Sequence, residues 1–318
     1  MNKMFNEKRE RYYRRQVIKA IGLHNTQTAF GAEKTCYVFN NFVVFKDQVH
    51  SDEGEEFTSV LITKLIKQQN ANYLHNAGIH TPRIVDIHYE DGYIYEIQEK
   101  APGSVLSYTN ESNIINTFAG KDSKYVSIRD MSDYLRSDFC KQILIYNFNM
   151  QKKLKSAPIS HFVDFIRSFK TIQEYGLNLD IHGENFLYDV NVGFSFIDLP
   201  AIQYTEKKKF SPENIDTTEL CFDNKRVKSV EKYRKVNDFT ILTQICTLFV
   251  DFLKYTSYVF DTELIKQMRK NNLAIIKNKI LPAAKLAGLT LTKQDWMLLE
   301  NYIKEISYSK GNDSALTF

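Results

Sequence analysis

Between Thr28 and Lys100 the apolar pattern changes period twice, and that change limits the fold more than any other feature of the chain. "CYVF-NN-FVVFK" reads as two short strands rich in β-branched and aromatic residues around Asn40-Asn41, a pair that tolerates positive φ and suits a hairpin. "FTSVLITKLIKQQNANYLHNAGI" then spaces Val60, Leu61, Leu65, Ala71 and Leu74 as a helix does, and Gly78 with Pro82 beyond it marks the helix end. "RIVDIHYE-DG-YIYEIQE" returns to period two around Asp91-Gly92. A strand–strand–helix–strand–strand run can bury its apolar faces only as a small antiparallel sheet with one helix laid on it.

"KAPGS" breaks the pattern and reads as a linker, after which the chain is mainly helical. "DMSDYLRSDFCKQILIYNFNMQKKL", "SHFVDFIRSFKTIQEYG" and "DFTILTQICTLFVDFLKYTSYVF" carry apolar residues every three or four positions. "TKQDWMLLENYIKEI" opens with Thr292 and Asp295 at capping-box spacing. Set among these helices, "NFLYD-VNVG-FSFID" reads as a small hairpin. The expected class is therefore α+β: an N-terminal lobe over residues 1–100, led by a basic helix at about 6–21, and a helical lobe over 101–318. The leading helix offers Lys8, Arg9, Arg11, Arg14 and Arg15 either to phosphates or to an acidic partner, or simply docks on the domain.

Composition removes several classes. The 318 residues are 43% apolar and 25% charged, which excludes disorder, and a net charge of +4 is too small to argue for nucleic acid without a clustered patch. No apolar run is long enough for a membrane span, and the opening stretch lacks a signal-peptide core. Cys36, Cys140, Cys221 and Cys246 stand far apart, as reduced and mostly buried thiols of a cytoplasmic protein do.

The chemistry concentrates in "GLNLDIHGENFLYDVNVGFSFIDL". Antiparallel pairing across its hairpin brings Asn185, at the start of one strand, to Asp198, at the end of the other. Two oxygen ligands from strand ends suit Mg²⁺, a hard cation that completes its shell with phosphate and water. Asp180, on the preceding loop, is then a carboxylate outside the metal shell, able to orient a hydroxyl and accept its proton. These are the parts phosphoryl transfer requires.

Asp180-Ile-His182-Gly-Glu-Asn185 followed by Phe196-Ile-Asp198 resembles the catalytic loop and metal-binding aspartate of the protein-kinase-like fold, in its aminoglycoside and choline kinase type branch. The resemblance spans roughly residues 28 to 200. It implies a bilobal fold, an ATP and Mg²⁺ requirement, Asp180 as base, and Asn185 with Asp198 as metal ligands. It further implies that Lys46 reaches the nucleotide phosphates and that Gly31, in "AFGAEK", belongs to a reduced nucleotide loop. By the same match Gln98 is the gatekeeper, while the carbonyl of Glu99 and the N–H of Ala101 meet the adenine. His182 is read as a structural residue of the loop.

One departure concerns the helix after Lys46, where the family's glutamate is missing. Gln68 and Gln69 stand in its middle, and Glu53, Glu55 and Glu56 precede the helix. Either an acid of that group reaches Lys46 or the site assembles weakly. Between Glu206 and Lys235 nine Lys/Arg face six Asp/Glu, which argues against a polycationic aminoglycoside and for a neutral or anionic acceptor, unless that stretch is only a solvated loop. The partners implied are a nucleotide and a small-molecule acceptor; the alternatives are a protein kinase or a catalytically silent binding module of the same fold.

Overall fold

The computed structural model describes residues 11–12, 14–16, 18–19, 27–30, 35–48, 55–90, 92–108, 115, 127–175, 177, 179–199 and 237–308. Gly31, Cys221, Asp91 and the basic stretch between Glu206 and Lys235 lie outside them. The chain divides into two compact units, Met1–Ala101 with Leu199–Lys232, and Pro102–Asp198 with Tyr233–Phe318.

In the first unit, strands β1 (Gln27–Phe30), β2 (Thr35–Val38), β3 (Phe42–Gln48), β4 (Ile84–Glu90) and β5 (Tyr93–Glu99) form an antiparallel sheet in the order β1-β2-β3-β5-β4. Four of these strands follow the period-two reading; β1 is additional, and at four residues it is too short to announce itself by alternation. Helix α1 spans Glu55–Asn76 and stops at Gly78, whose φ of +88° is the left-handed cap that favours glycine. Gly92 turns the β4–β5 hairpin with φ +80°.

The helix does not present the face its apolar residues suggest. Leu65 is 42% exposed, whereas Lys64, Lys67, Asn70, Ala71 and Leu74 are buried. The two lysines tolerate burial because strand carboxylates meet them: Lys64 Nζ lies 2.5 Å from Asp47 Oδ2 and 3.2 Å from Glu96 Oε2, and Lys67 Nζ lies 3.6 Å from Glu96 Oε1. A buried charge without such a partner would cost several kcal/mol. Asn72 completes the docking by gripping both backbone groups of Ile84 at 3.0 and 3.1 Å.

The opposite sheet face carries Phe39, Phe42, Val44 and Ile97 with Ile18 of the N-terminal helical segment packed on them. Arg15 forks onto the buried Asp86, with Nη2 to Oδ1 at 2.8 Å, Lys19 pairs with Glu90 at 2.6 Å, and Arg14 sits 5.5 Å from the Phe42 ring centroid. Arg14, Arg15 and Lys19 of this helical segment are thus met by the sheet.

The second unit is mostly helical: α2 (Asp133–Ser156), α3 (Ile159–Glu174), α4 (Asp238–Val250), α5 (Thr262–Ile275), α6 (Leu281–Leu286) and α7 (Lys293–Tyr308). The expected long helix from Asp238 ends at Val250 and continues as two 3₁₀ turns, Asp251–Leu253 and Thr256–Tyr258. The capping box at α7 forms as spaced, with Asp295 N–H on Thr292 Oγ1 at 3.1 Å and Thr292 N–H on Asp295 Oδ2 at 2.8 Å. A three-stranded sheet of β6 (Ser104–Val105), β7 (Phe186–Asp189) and β8 (Gly193–Phe196) sits among the helices. Its first strand lies in the stretch read as a linker. Gly103, at φ +104°, makes that approach possible, since a Cβ there would stand 2.6 Å from the Tyr188 carbonyl oxygen.

Phenylalanines fasten this hairpin. Phe165 of α3 stacks within 4.5 Å of Phe194 and 5.4 Å of Phe196, and meets Phe186 edge-on at 5.7 Å. Phe162, Phe169 and Phe249 extend the cluster. Such pairs add about 0.5–1.5 kcal/mol each beyond burial, so the strands bearing the candidate site rest on a stiff base. The element order, an antiparallel sheet with one helix followed by helices around a small hairpin, is the α+β order expected from the sequence.

Candidate functional site

The loop before β7 is held by its own polar groups. Asn185, 9% exposed, donates from Nδ2 to the Asp180 carbonyl oxygen at 2.9 Å, and its N–H reaches the His182 carbonyl at 3.1 Å. Gly183–Asn185 forms one 3₁₀ turn. Glycine is required there by crowding: a Cβ on Gly183 would lie 1.8 Å from the Oγ and 2.5 Å from the carbonyl oxygen of the fully buried Ser107. The Asp180 side chain, by contrast, is 77% exposed.

His182 does more than hold backbone. Its Nε2 lies 3.1 Å from Asp180 Oδ2 and its Nδ1 2.9 Å from Glu184 Oε2, so a charged ring donates to both carboxylates. Burial opposes that charge, but the hydrogen bond and field of Glu184, with Asp180 opposite, hold the His182 pKa above its ordinary value. A further carboxylate, Asp251, follows α4. Burial pushes its pKa up to about 7, Lys254 and His182 pull the other way, and Glu184 adds to the rise. Neither Glu184 nor Asp251 was singled out from the sequence. Acids buried behind a loop carry no periodic mark, although Glu184 lies inside the quoted motif.

Asn185 and Asp198 converge as the hairpin requires. Phe186 pairs with Phe196, and Ile197 N–H donates to the Asn185 carbonyl at 3.1 Å, which sets Asp198 one residue beyond that contact. Asn185 Nδ2 is committed to the Asp180 carbonyl and Asp198 is exposed, so Asn185 Oδ1 and the Asp198 carboxylate are oxygen donors of the type a hard cation such as Mg²⁺ takes, carried on neighbouring strand ends. No group of three or more His, Cys, Asp or Glu able to hold a metal occurs among the described residues, so a softer metal with a full protein shell finds no site among them.

The sheet unit distributes its expected residues differently. Gln98 is buried and donates from Nε2 to Glu96 Oε1 at 2.5 Å. The Glu99 side chain takes Arg83 Nε at 3.1 Å, and its N–H donates to the Arg83 carbonyl at 2.9 Å. Ala101 follows, half-buried. Lys46 sits on β3 opposite Tyr95, with Nζ 3.6 Å from the Tyr93 ring centroid. Asp47 reaches α1, so alternation along the strand turns Lys46 to the other face, the one carrying the Phe42–Val44 cluster. Gln68 binds the Ile84 carbonyl at 2.9 Å, not Lys46, and the side chains of Glu53, Glu55 and Glu56 lie outside the described residues. The ion pairs between α1 and the sheet have their lysines on the helix and their acids on the strands.

The remaining expectations are modest. Cys140 and Cys246 are buried and Cys36 is half-buried, none of the three in a disulfide; burial raises the pKa of Cys36 and of Cys246 to about 12. Trp296 is half-buried, with Lys285 Nζ 5.2 Å from its ring centroid. No helix among the described residues is long and apolar enough to cross a membrane.

No family model matches the chain, and no curated protein matches it by sequence. Solved structures do. WbdD bound to a kinase inhibitor is 11% identical over 87% of this chain and 50% of that one, with a TM-score of 0.32. The aminoglycoside phosphotransferase APH(3'')-Id from Streptomyces rimosus is 8% identical over 92% and 96%, with a TM-score of 0.34. Spectinomycin phosphotransferase, solved with ADP and spectinomycin, is 12% identical over 87% and 98%, with a TM-score of 0.27. The chain spans about half the length of the WbdD structures it matches. At these scores the likeness carries no argument, and the fold rests on the order and pairing of the elements described above.

Proposed function

We propose that the chain is an ATP- and Mg²⁺-dependent phosphotransferase acting on a hydroxyl of a small neutral or anionic molecule. The observation that carries this reading is the loop geometry. A solvent-facing Asp180 carboxylate stands on a loop whose backbone is tied by the Asn185 amide, with Asp198 brought in by the adjoining hairpin. Asp180 accepts the proton of the acceptor hydroxyl as that oxygen bonds to the γ-phosphorus and the bridging bond to the β-phosphate breaks, releasing ADP. His182 steadies the Asp180 carboxylate from one side and is itself braced by Glu184. Asn185 Oδ1 and Asp198 would hold Mg²⁺, whose contribution when bound is to neutralise phosphate charge. On the sheet unit, Gln98 borders the adenine, the Glu99 carbonyl and Ala101 N–H bind its edge, and Gly31 belongs to the loop over the phosphates. The excess of Lys and Arg between Glu206 and Lys235 supports an acceptor that is not polycationic. ATP dependence fits a cytoplasmic protein.

The test is transfer of labelled γ-phosphate from ATP to a panel of sugars, phosphorylated metabolites and aminoglycosides. The expected outcome is labelling of a neutral or anionic acceptor, lowered about 10²–10⁴-fold in Asp180→Asn. Labelling of protein substrates alone would favour a protein kinase. One observation favours a silent binding module: Lys46 is occupied by Tyr93 on the sheet face away from α1. Nucleotide binding with no transfer to any acceptor or to water is the result that would establish it.

A further inference from the structure

Two stretches of the second unit, residues 139–163 and 264–294, together hold eleven Lys/Arg and no Asp/Glu. The whole chain has a net charge of +4, so the rest of it is net negative. The fold sets these two stretches side by side. Lys155 Nζ of α2 donates to Asn271 Oδ1 of α5 at 2.8 Å, and Gln151 Nε2 donates to Asn272 Oδ1 at 3.2 Å. The π turn Ile276–Ile280, which continues α5, reaches the end of α2, where Lys279 Nζ donates to the Ala157 carbonyl at 2.6 Å. These contacts gather Lys152, Lys153, Lys155, Lys270, Lys277 and Lys279 at one end of the helix pair.

Lysines in the last turn of α2 offset its macrodipole, which accounts for Lys153 and Lys155. It does not account for the lysines from the second stretch, nor for the lack of acids. Of the eleven cations, Lys141 alone has an ion pair among the described residues, with Asp261 at 3.3 Å, and it lies toward the other end of α2. Asp138 and Glu263 stand at that other end too, Asp295 is held in the α7 capping box, and Asp164, exposed on α3, is the acid that follows the α2 end. A patch of one sign repels itself and attracts an anionic partner.

The neighbours of the lysines discriminate between anions. Ile145, Ile159 and Leu286 each lie within seven residues of one of the six lysines and are left exposed, Leu286 at 58%. Ile145 belongs to a single stripe of α2 with Lys141, Phe148, Lys152 and Lys155, spaced by three or four residues. The aromatic rings in this region are capped instead: Lys152 Nζ lies 4.2 Å from the Phe148 centroid and Lys285 Nζ 5.2 Å from that of Trp296. Ten of the eleven cations are Lys. Nucleic acid is held by open aromatic rings and forked arginines, whereas lipid headgroups are met by lysines interleaved with aliphatic side chains. We propose that this basic end of the α2–α5 pair docks the protein on an anionic lipid bilayer, peripherally, with the lysines at the headgroups and the exposed aliphatic residues between them. The contact is separate from the loop bearing Asp180 and stands whether or not that loop transfers phosphate.

The experiment is co-sedimentation of the full chain with vesicles of phosphatidylcholine, with and without phosphatidylserine, at low and high salt, beside binding to single-stranded RNA and duplex DNA. The expected result is binding to the phosphatidylserine vesicles alone, weakened by salt. The variant Lys153→Gln, Lys270→Gln, Lys277→Gln removes three exposed lysines that make no hydrogen bond or ion pair among the described residues. It should melt as the unaltered chain does and lose about 10²-fold in vesicle affinity, since each lysine near an anionic leaflet contributes about fivefold. Leu286→Ser should weaken vesicle binding several-fold at either salt concentration, which a purely ionic contact would not show. The inference is overturned if vesicles with and without phosphatidylserine bind alike or not at all, or if the triple variant keeps its affinity. It is also overturned if RNA or DNA binds more tightly than the vesicles and the triple variant abolishes that binding, which would make this a nucleic-acid surface. Vesicle binding without phosphate transfer to any acceptor would sink the proposed function and leave the docking surface standing.

Discussion

The loop–hairpin region and the sheet–helix region carry chemistry in different ways. In the first, residues close in sequence hold one another: Asp180, His182 and Asn185 lock together within six residues, and a two-strand pairing carries the chain to Asp198. In the second, the buried charges come from three separate elements, with Lys64 and Lys67 on α1, Asp47 on β3 and Glu96 on β5. Local constellations are constrained by a few dihedral angles and survive as readable motifs. A constellation assembled across a sheet–helix interface is constrained only as a sum of charges, so its members can exchange places.

The loop side breaks most easily. Gly183→Ala forces a Cβ into Ser107, and both the buried Oγ and the backbone carbonyl are in the way. We expect a loss of about 2 kcal/mol in denaturant unfolding and displacement of Asp180 from its working position. Transfer should fall much more than nucleotide binding, and Ser107→Gly should restore only part of it because the carbonyl clash stays. Equal loss of both functions would show that the loop is not separable from the nucleotide site.

Asp251 sharpens the comparison, since it lies behind the loop and lowers stability where Asp86, on the sheet, raises it. The Asp251 pKa is lifted from 3.8 to about 7, chiefly by burial. A raised carboxyl pKa favours the protonated folded form, so its stabilising contribution is full below pH 4 and is lost as pH rises through about 7. Asp251→Asn should therefore melt higher than the unaltered chain at pH 8 by roughly 1–3 kcal/mol, with the gap closing toward pH 5. A gap that is constant with pH would contradict the assignment.

Asp86 has the opposite sign. Burial works to raise its pKa, but hydrogen bonds from His88 and Arg15 and their charges bring it down from 3.8 to about 2. Its contribution is present above pH 4 and disappears as pH falls toward 2. Because Arg15 is 40% exposed, the effect is only about 1 kcal/mol. Asp86→Asn should lower stability at pH 6 by that amount and make no difference near pH 2, as read by thermal unfolding.

Much of the fold is legible in the sequence because it is written in periodicity. The β2–β3 and β4–β5 hairpins, α1 with its Gly78 cap, and the Thr292–Asp295 box all follow from spacing and turn chemistry. The failures share a cause. The buried side of α1 holds lysines, which an apolar count places outside, and the strand acids that permit their burial are 17 to 32 residues away in sequence. The helix α5 and the π turn Ile276–Ile280 behind it were passed over because Lys and Asn interrupt their apolar run; Asn271 and Asn272 are in fact buried, where Lys155 and Gln151 of α2 bond them at 2.8 and 3.2 Å. Lys46 sits at a motif position in sequence, yet a strand's face is decided one residue at a time, and a single step separates it from Asp47.

The measurement closest to the central claim is calorimetric titration with ATP, with and without Mg²⁺, of the unaltered chain and Asp198→Ala. The account predicts ATP binding that Mg²⁺ strengthens and that loses its Mg²⁺ dependence in the variant. Binding indifferent to both the cation and the substitution, or no binding at millimolar ATP, would contradict it.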